Sequence, residues 1–200
     1  MRIANPIYDT VFKYLLEDKP SAQLLLSTLL GEEITALSIW PQERTTILAS
    51  HGLTVFRLDF AATVKNAAGE SRQVLIEIQK AKLSLDIMRF RRYLGEQYKD
   101  PNHLVTATDS HGKAVKRALP IVSIYFLGYP LEHSQAPVIR VKRHCSDATT
   151  DEPLVTKEPF IESLTHDSFV IQIPYLRAER RTEIEKLLQV FDQSQSSADH

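Results

Sequence analysis

The chain has 200 residues, 43% of them hydrophobic and 24% charged, with 24 Lys plus Arg against 25 Asp plus Glu for a formal net charge of −1. This composition excludes collagen-like, low-complexity and wholly disordered chains, and the length suffices to bury a core within one domain. No apolar run of about 18 residues occurs, which excludes a helical membrane span, and the charge balance is not that of a nucleic-acid coat protein, although a local basic patch stays open.

The N-terminal MRIANPIYDTVFK lacks an apolar segment, so no secretory signal is expected. Cys145 is the only cysteine, which leaves no partner for a disulfide within the chain and no cysteine zinc site. A reducing, cytoplasmic setting fits that usage. The glycines are too scattered for GxGxxG or a P-loop, and neither GxSxG nor HExxH occurs. His166, Asp167 and Ser168 are adjacent, and since a catalytic triad converges in space, their adjacency carries no weight.

In chain order, residues 7–16 suit a short helix carrying Asp9, and Pro20 opens a second helix that Gly31 ends. Ile34–Trp40 suggests a strand broken at Pro41, and Thr45–Ser50 suggests another. Leu53–Lys65 and Arg72–Lys80 form a predicted hairpin around the turn from Asn66 to Ser71. Ser84–Lys99 has a helical apolar stripe of Ile87, Phe90, Leu94 and Tyr98, with Pro101 just past its end.

Asp100–Ala118 is expected to be a polar loop, and Leu119–Leu127 (LPIVSIYFL) a strand buried on both faces. Val138–Lys142 and Ser168–Ile173 are further predicted strands, residues 144–159 a polar connection, and Ala178–Asp192 a helix. Trp40 and Phe126 are assigned to the core. This order predicts an α/β layer architecture with a mixed sheet flanked by helices. One domain is expected over residues 1–192, followed by a flexible tail at 193–200.

The hairpin is the most informative segment. Alternation collects Arg57, Asp59, Glu77 and Gln79 on one side of the sheet. Paired positions in an antiparallel hairpin have a constant sum, and Asp59 with Glu77 centres on Ala68, inside the predicted turn. The two carboxylates are then directly opposed, with Cβ atoms about 5 Å apart. Opposed anions repel, so something must compensate. A hard cation such as Mg²⁺ would do so; an Arg57–Asp59–Glu77 network without catalysis is the equal alternative from pattern alone.

Asp59 followed by Glu77-Ile78-Gln79 resembles the PD-(D/E)xK nuclease signature in a D…ExQ variant. The words YDTVFKYLL at 8–16, RLDF at 57–60, IEIQ at 76–79 and SFVIQIPYL at 168–176, with the Arg- and Tyr-rich helix between them, resemble the Rpn family of recombination-promoting nucleases, also described as PD-(D/E)xK putative transposases. The resemblance covers most of the chain. It implies a restriction-endonuclease-like αβββαβ core and Mg²⁺-dependent endonucleolytic cleavage of DNA, with Mn²⁺ able to substitute. Carried over by position, it implies that Asp59, Glu77 and the Ile78 carbonyl hold the metal. Asp9 matches an additional acidic position, and Gln79 stands where the signature has lysine.

Residues 80–99 carry six cations, Lys80, Lys82, Arg89, Arg91, Arg92 and Lys99, against Asp86 and Glu96. Arg57, Lys80, Arg89, Arg92 and Tyr93 are candidates for contacting nucleic acid; a solvated helix face with pairs such as Arg92–Glu96 is the alternative. Alternation turns Lys80 away from the Glu77 face. The basic strip Arg140, Lys142, Arg143 and His144 is read as protection of a strand edge. Two rival functions stay open: a catalytically inactive module on the same fold that binds nucleic acid or protein, which the missing lysine motivates, and a purely regulatory domain. Homodimerisation also stays open.

Overall fold

In a computed structural model the described residues are 14–40, 57–81, 87–176 and 182–191, without the side chains of 40 and 57–59. The elements are α1 (Lys19–Leu30), β1 (Glu33–Trp40), β2 (Arg57–Lys65), β3 (Ser71–Ala81), α2 (Ile87–Lys99), β4 (Leu104–Thr108), β5 (Ala114–Ala118), β6 (Ile121–Leu127), β7 (Val138–Val141), α3 (Pro159–Leu164), β8 (His166–Gln172) and α4 (Glu183–Leu188). The predicted strand at Thr45–Ser50 and Asp9 of the first predicted helix lie outside the described residues.

Among the described residues, six strands form one mixed sheet in the order β1-β2-β3-β6-β8-β7. The first three are antiparallel, β3, β6 and β8 are parallel, and β7 returns antiparallel to β8. This is the expected α/β layer architecture, with the mixed sheet flanked by helices.

Side-chain alternation divides the sheet into two buried faces. Phe60, Val64, Val74, Ile76, Ile78, Ile124, Phe126 and Ile171 belong to one cluster, completed by Leu25, Leu26 and Leu29 of α1 and by Leu188 and Phe191 beyond them in sequence. Phe126, expected in the core, is fully buried there and stacks on Phe191 with ring centroids 4.9 Å apart. The opposite face packs on α2 through two smaller clusters. Leu75, Leu119 and Ile121 meet Leu94 and Val105, while Ala81, Phe90 and Leu127 meet Tyr125 and Val170.

Local chemistry explains the element ends. The Asp18 carboxylate caps α1 by accepting from the Ser21 N–H at 3.1 Å. Gly31 closes it at φ 69°, where its N–H donates to the Ser27 carbonyl. In the hairpin turn the Gly69 N–H donates to the Asn66 carbonyl, and Gly69 takes φ 84°. That is a left-handed conformation which a Cβ would strain.

One expectation is corrected. The predicted polar loop at Asp100–Ala118 contains the β4–β5 hairpin as a separate two-stranded sheet. Its five-residue strands carry little apolar signal of their own, and Val105 packs against the buried cluster of Leu75, Leu119 and Ile121. The expected polar connection at 144–159 carries no named helix or strand before Pro159, where the short helix α3 begins. Of the predicted helix at Ala178–Asp192, residues 178–181 and 192 lie outside the described residues; Thr182 is an extended N-cap whose reciprocal capping box with Glu185 starts α4 at Glu183. Within the α2 stripe Phe90 is buried, whereas Ile87 is 54% exposed.

Candidate active site on the central hairpin

β3 is central, paired with β2 on one edge and β6 on the other, and the clusters on the α1 and α2 sides of the sheet cover its two faces. Val74, Ile76 and Ile78 enter the α1 face. Alternation sends Leu75, Glu77, Gln79 and Ala81 to the α2 face. Two polar side chains are thereby carried inward, and Glu77 and Gln79 retain only 0% and 1% exposure.

The ladder between β2 and β3 runs without a bulge and pairs Asp59 with Glu77 and Arg57 with Gln79. This is the register expected from the centre at Ala68. β6 then sets Ser123 beside Glu77 and Tyr125 beside Gln79, and β8 sets Ser168 beside Ser123. Asp59, Glu77, Ser123 and Ser168 therefore occupy one continuous cross-strand row. The side chains of Arg57 and Asp59, like the whole of Asp9, lie outside the described residues.

Gln79 donates its side-chain amide to Glu77 Oε1 at 2.7 Å. Its own Oε1 is buried and has no hydrogen-bond partner among the described residues. Register sets Tyr125 beside Gln79, and the charge of Glu77 reaches both Tyr125 and Tyr98. Burial pushes the Tyr125 phenol up, the Ser123 hydroxyl works against the rise, and the negative charge of Glu77 adds to it. Tyr98 is also raised, by burial first; the Arg143 charge opposes this, and Tyr125 and Glu77 reinforce it. The sequence reading does not name Tyr125 or Tyr98 as site residues. The signal for Tyr125 was its alternation with Ser123 in the buried strand, but only the parallel register brings the pair to Glu77 and Gln79.

The remaining candidates divide. Lys80 is 4% exposed and alternates with Glu77, so it lies on the opposite face of β3. Arg89 donates from Nη2 to the Lys80 carbonyl at 3.3 Å, which ties α2 to the end of β3. Arg92 pairs with Glu96 at 3.4 Å on the exposed side of α2, and Tyr93 is half-buried. The Ile78 side chain is fully buried in the α1-side core, so only its backbone carbonyl is a candidate ligand.

The adjacent His166, Asp167 and Ser168 do not form a triad. His166 Nδ1 is 3.0 Å from the Tyr98 hydroxyl, while the Asp167 carboxylate accepts from Arg143 Nε at 2.9 Å. Of the basic strip, Arg140 lies on β7 at the sheet edge, donates to the Leu29 carbonyl at 2.9 Å and stacks over Phe169. A cavity of about 400 Å³ lined by Arg140, Phe169, Thr182 and Glu185 lies away from Glu77, on the α1 side of the sheet.

The donors assembled by the register are oxygens: the Glu77 carboxylate, the Asp59 position opposite it and the adjoining Ile78 carbonyl. That set suits a hard divalent cation, and the buried, partnerless Gln79 Oε1 adds a further oxygen on the Glu77 face. Among the described residues no group of three or more His, Cys, Asp or Glu converges to hold a metal. No family model, curated protein or solved structure matches the chain. No helix among the described residues is long and apolar enough to cross a membrane.

Proposed function

We propose that the protein is a metal-dependent DNA endonuclease with its centre on the β2–β3 hairpin. The observation that carries this reading is the direct register pairing of Asp59 with Glu77, with Gln79 bonded to Glu77. Paired residues of an antiparallel ladder share a face with Cβ atoms about 5 Å apart, so the pairing supports two opposed carboxylates. The order α1, β1, β2, β3, α2, β6, with β6 parallel to β3, supports a restriction-endonuclease-like core.

Asp59, Glu77 and the Ile78 carbonyl would hold the cation, with Mg²⁺ or Mn²⁺ as the expected metal. When bound, such a cation supplies an activated water and offsets the charge that develops on the phosphate. Glu77 is held ready by the Gln79 amide. Gln79 is neutral and cannot act as a base; it orients Glu77 through its nitrogen and presents an acceptor oxygen to a water. The basic α2 supplies Arg89, Arg92 and Tyr93 as candidate backbone contacts, with Arg57 at the register position beside Gln79.

The test is cleavage of supercoiled plasmid by the wild type and Asp59→Ala with Mg²⁺, Mn²⁺ or EDTA. Metal-dependent nicking that falls at least 100-fold in the variant is expected. A folded wild type that never nicks would instead favour an inactive binding module on the same fold, with Gln79 marking the lost lysine.

A further inference from the structure

The β4–β5 hairpin is a two-stranded ribbon inserted between α2 and β6, separate from the main sheet. Val105 and the adjoining Leu119 anchor its base in the cluster that contains Leu75. Leu75 lies two residues before Glu77 on the same face of β3, a distance of about 7 Å along the strand. Register pairs Thr106 with Lys116 and Val105 with Arg117. Thr106 and Lys116 are therefore on one exposed face, where Lys116 Nζ donates to Thr106 Oγ1 at 3.1 Å.

The charges of this segment are arranged unequally. Over residues 99–118 the four cations Lys99, Lys113, Lys116 and Arg117 outnumber the two carboxylates Asp100 and Asp109, and Asp109 Oδ1 shapes the tip by accepting the N–H groups of His111 at 2.9 Å and Lys113 at 2.8 Å. Asp100 caps the base, where it accepts the Asn102 N–H at 2.9 Å. The cations Lys99, Lys113, Lys116 and Arg117 make no ion pair among the described residues. Gly112, at φ 77°, allows the tight tip that holds Lys113 next to Asp109.

We infer that the β4–β5 ribbon is a DNA-contacting arm that lies in the major groove of duplex DNA bound at the hairpin site, with Lys113 and Lys116 on the phosphates. This rests on the nuclease reading for its duplex substrate. A two-stranded ribbon fits the B-form major groove, which is about 12 Å wide. Strands of five residues span about 17 Å, enough to follow the groove from a base close to Glu77. Lysines on phosphates give affinity without sequence preference.

The experiment measures binding of a fluorescein-labelled 30-bp duplex (a probe of roughly three helical turns) by anisotropy in EDTA, over a salt series. Wild type, Lys113→Ala/Lys116→Ala and the charge-conserving Lys113→Arg/Lys116→Arg are compared. The alanine variant is expected to bind at least tenfold more weakly at low salt, and its log–log salt slope to fall by about 2. The arginine variant is expected to bind like the wild type, and all three to keep the same thermal midpoint. Equal affinity and slope for the alanine variant would overturn the arm. So would equal binding of an A-form RNA duplex, whose major groove is too narrow for a ribbon. Because this readout needs no metal, loss of plasmid nicking alone sinks the nuclease reading, whereas an unchanged salt slope sinks the arm alone.

Discussion

Gln79 and Glu77, two residues apart on one face of β3, share a buried hydrogen bond of 2.7 Å in which the neutral amide is the donor. A second carboxylate at position 79 would put two anions together where water does not reach. Gln79→Glu is therefore expected to cost about 3 kcal/mol at pH 8. Repulsion and burial raise the carboxyl pKa of such a pair, so stability should return as the pH falls and one proton is taken up. Urea unfolding at pH 8 and pH 5 measures this; equal losses at both would contradict a buried contact.

The same bond bears on activity. Gln79→Ala removes the donor that holds Glu77 and is expected to slow plasmid nicking at least tenfold. Gln79→Lys restores a donor and adds the positive charge that the nuclease signature carries there, so nicking at the wild-type rate or faster is expected. An alanine variant that nicks as fast as the wild type would mean that position 79 does not serve the reaction.

His166 should make stability depend on pH. Burial, and then the Arg143 charge, lower its pKa below the ordinary 6.5, against the opposing charge of Asp167. The unfolded chain then binds the proton more tightly. The contribution is fully present above pH 6.5 and is lost as the pH falls through the folded value. Protonation also removes the acceptor at Nδ1 that faces the Tyr98 hydroxyl. His166→Gln keeps an acceptor and cannot titrate, so its urea midpoint should fall less than that of the wild type between pH 7.5 and pH 5.5.

Arg143 joins the start of β8 to α3 and the residues between them. Its Nε donates to Asp167 at 2.9 Å, Nη2 to Glu162 at 3.1 Å and Nη1 to Thr165 Oγ1 at 2.7 Å. Burial tends to raise the Asp167 pKa, but the Arg143 hydrogen bonds and charge outweigh it and hold the carboxyl below 3.8. That part of the stability is present above pH 3.8 and is lost as the pH drops through the folded value. Arg143→Lys keeps the charge but not the planar fork. It is expected to cost about 2 kcal/mol at neutral pH, measured by chemical unfolding, with the difference shrinking at low pH.

The parts legible in the sequence were those set by neighbours along the chain. The turn from Asn66, together with alternation on both arms, was enough to place Asp59 opposite Glu77, because a hairpin needs only one register and one short closure. The capping box of Thr182 and Glu185 is equally local, a threonine followed three residues later by a glutamate. Lys80 facing away from Glu77 followed from a period of two.

What the sequence by itself determined, then, is the hairpin, its carboxylate register and the layered α/β class, all products of short-range pattern and turn chemistry. Only the tertiary structure decided the rest. The parallel pairing of β3, β6 and β8 brings Ser123, Tyr125 and Ser168 to the Glu77 row, and the packing of α2 brings Tyr98 to His166, 68 residues away. The β4–β5 ribbon is anchored where Val105 meets the cluster of Leu75, Leu119 and Ile121. Such contacts join residues distant in the chain, so their energy appears only when the core assembles, and no local pattern encodes them.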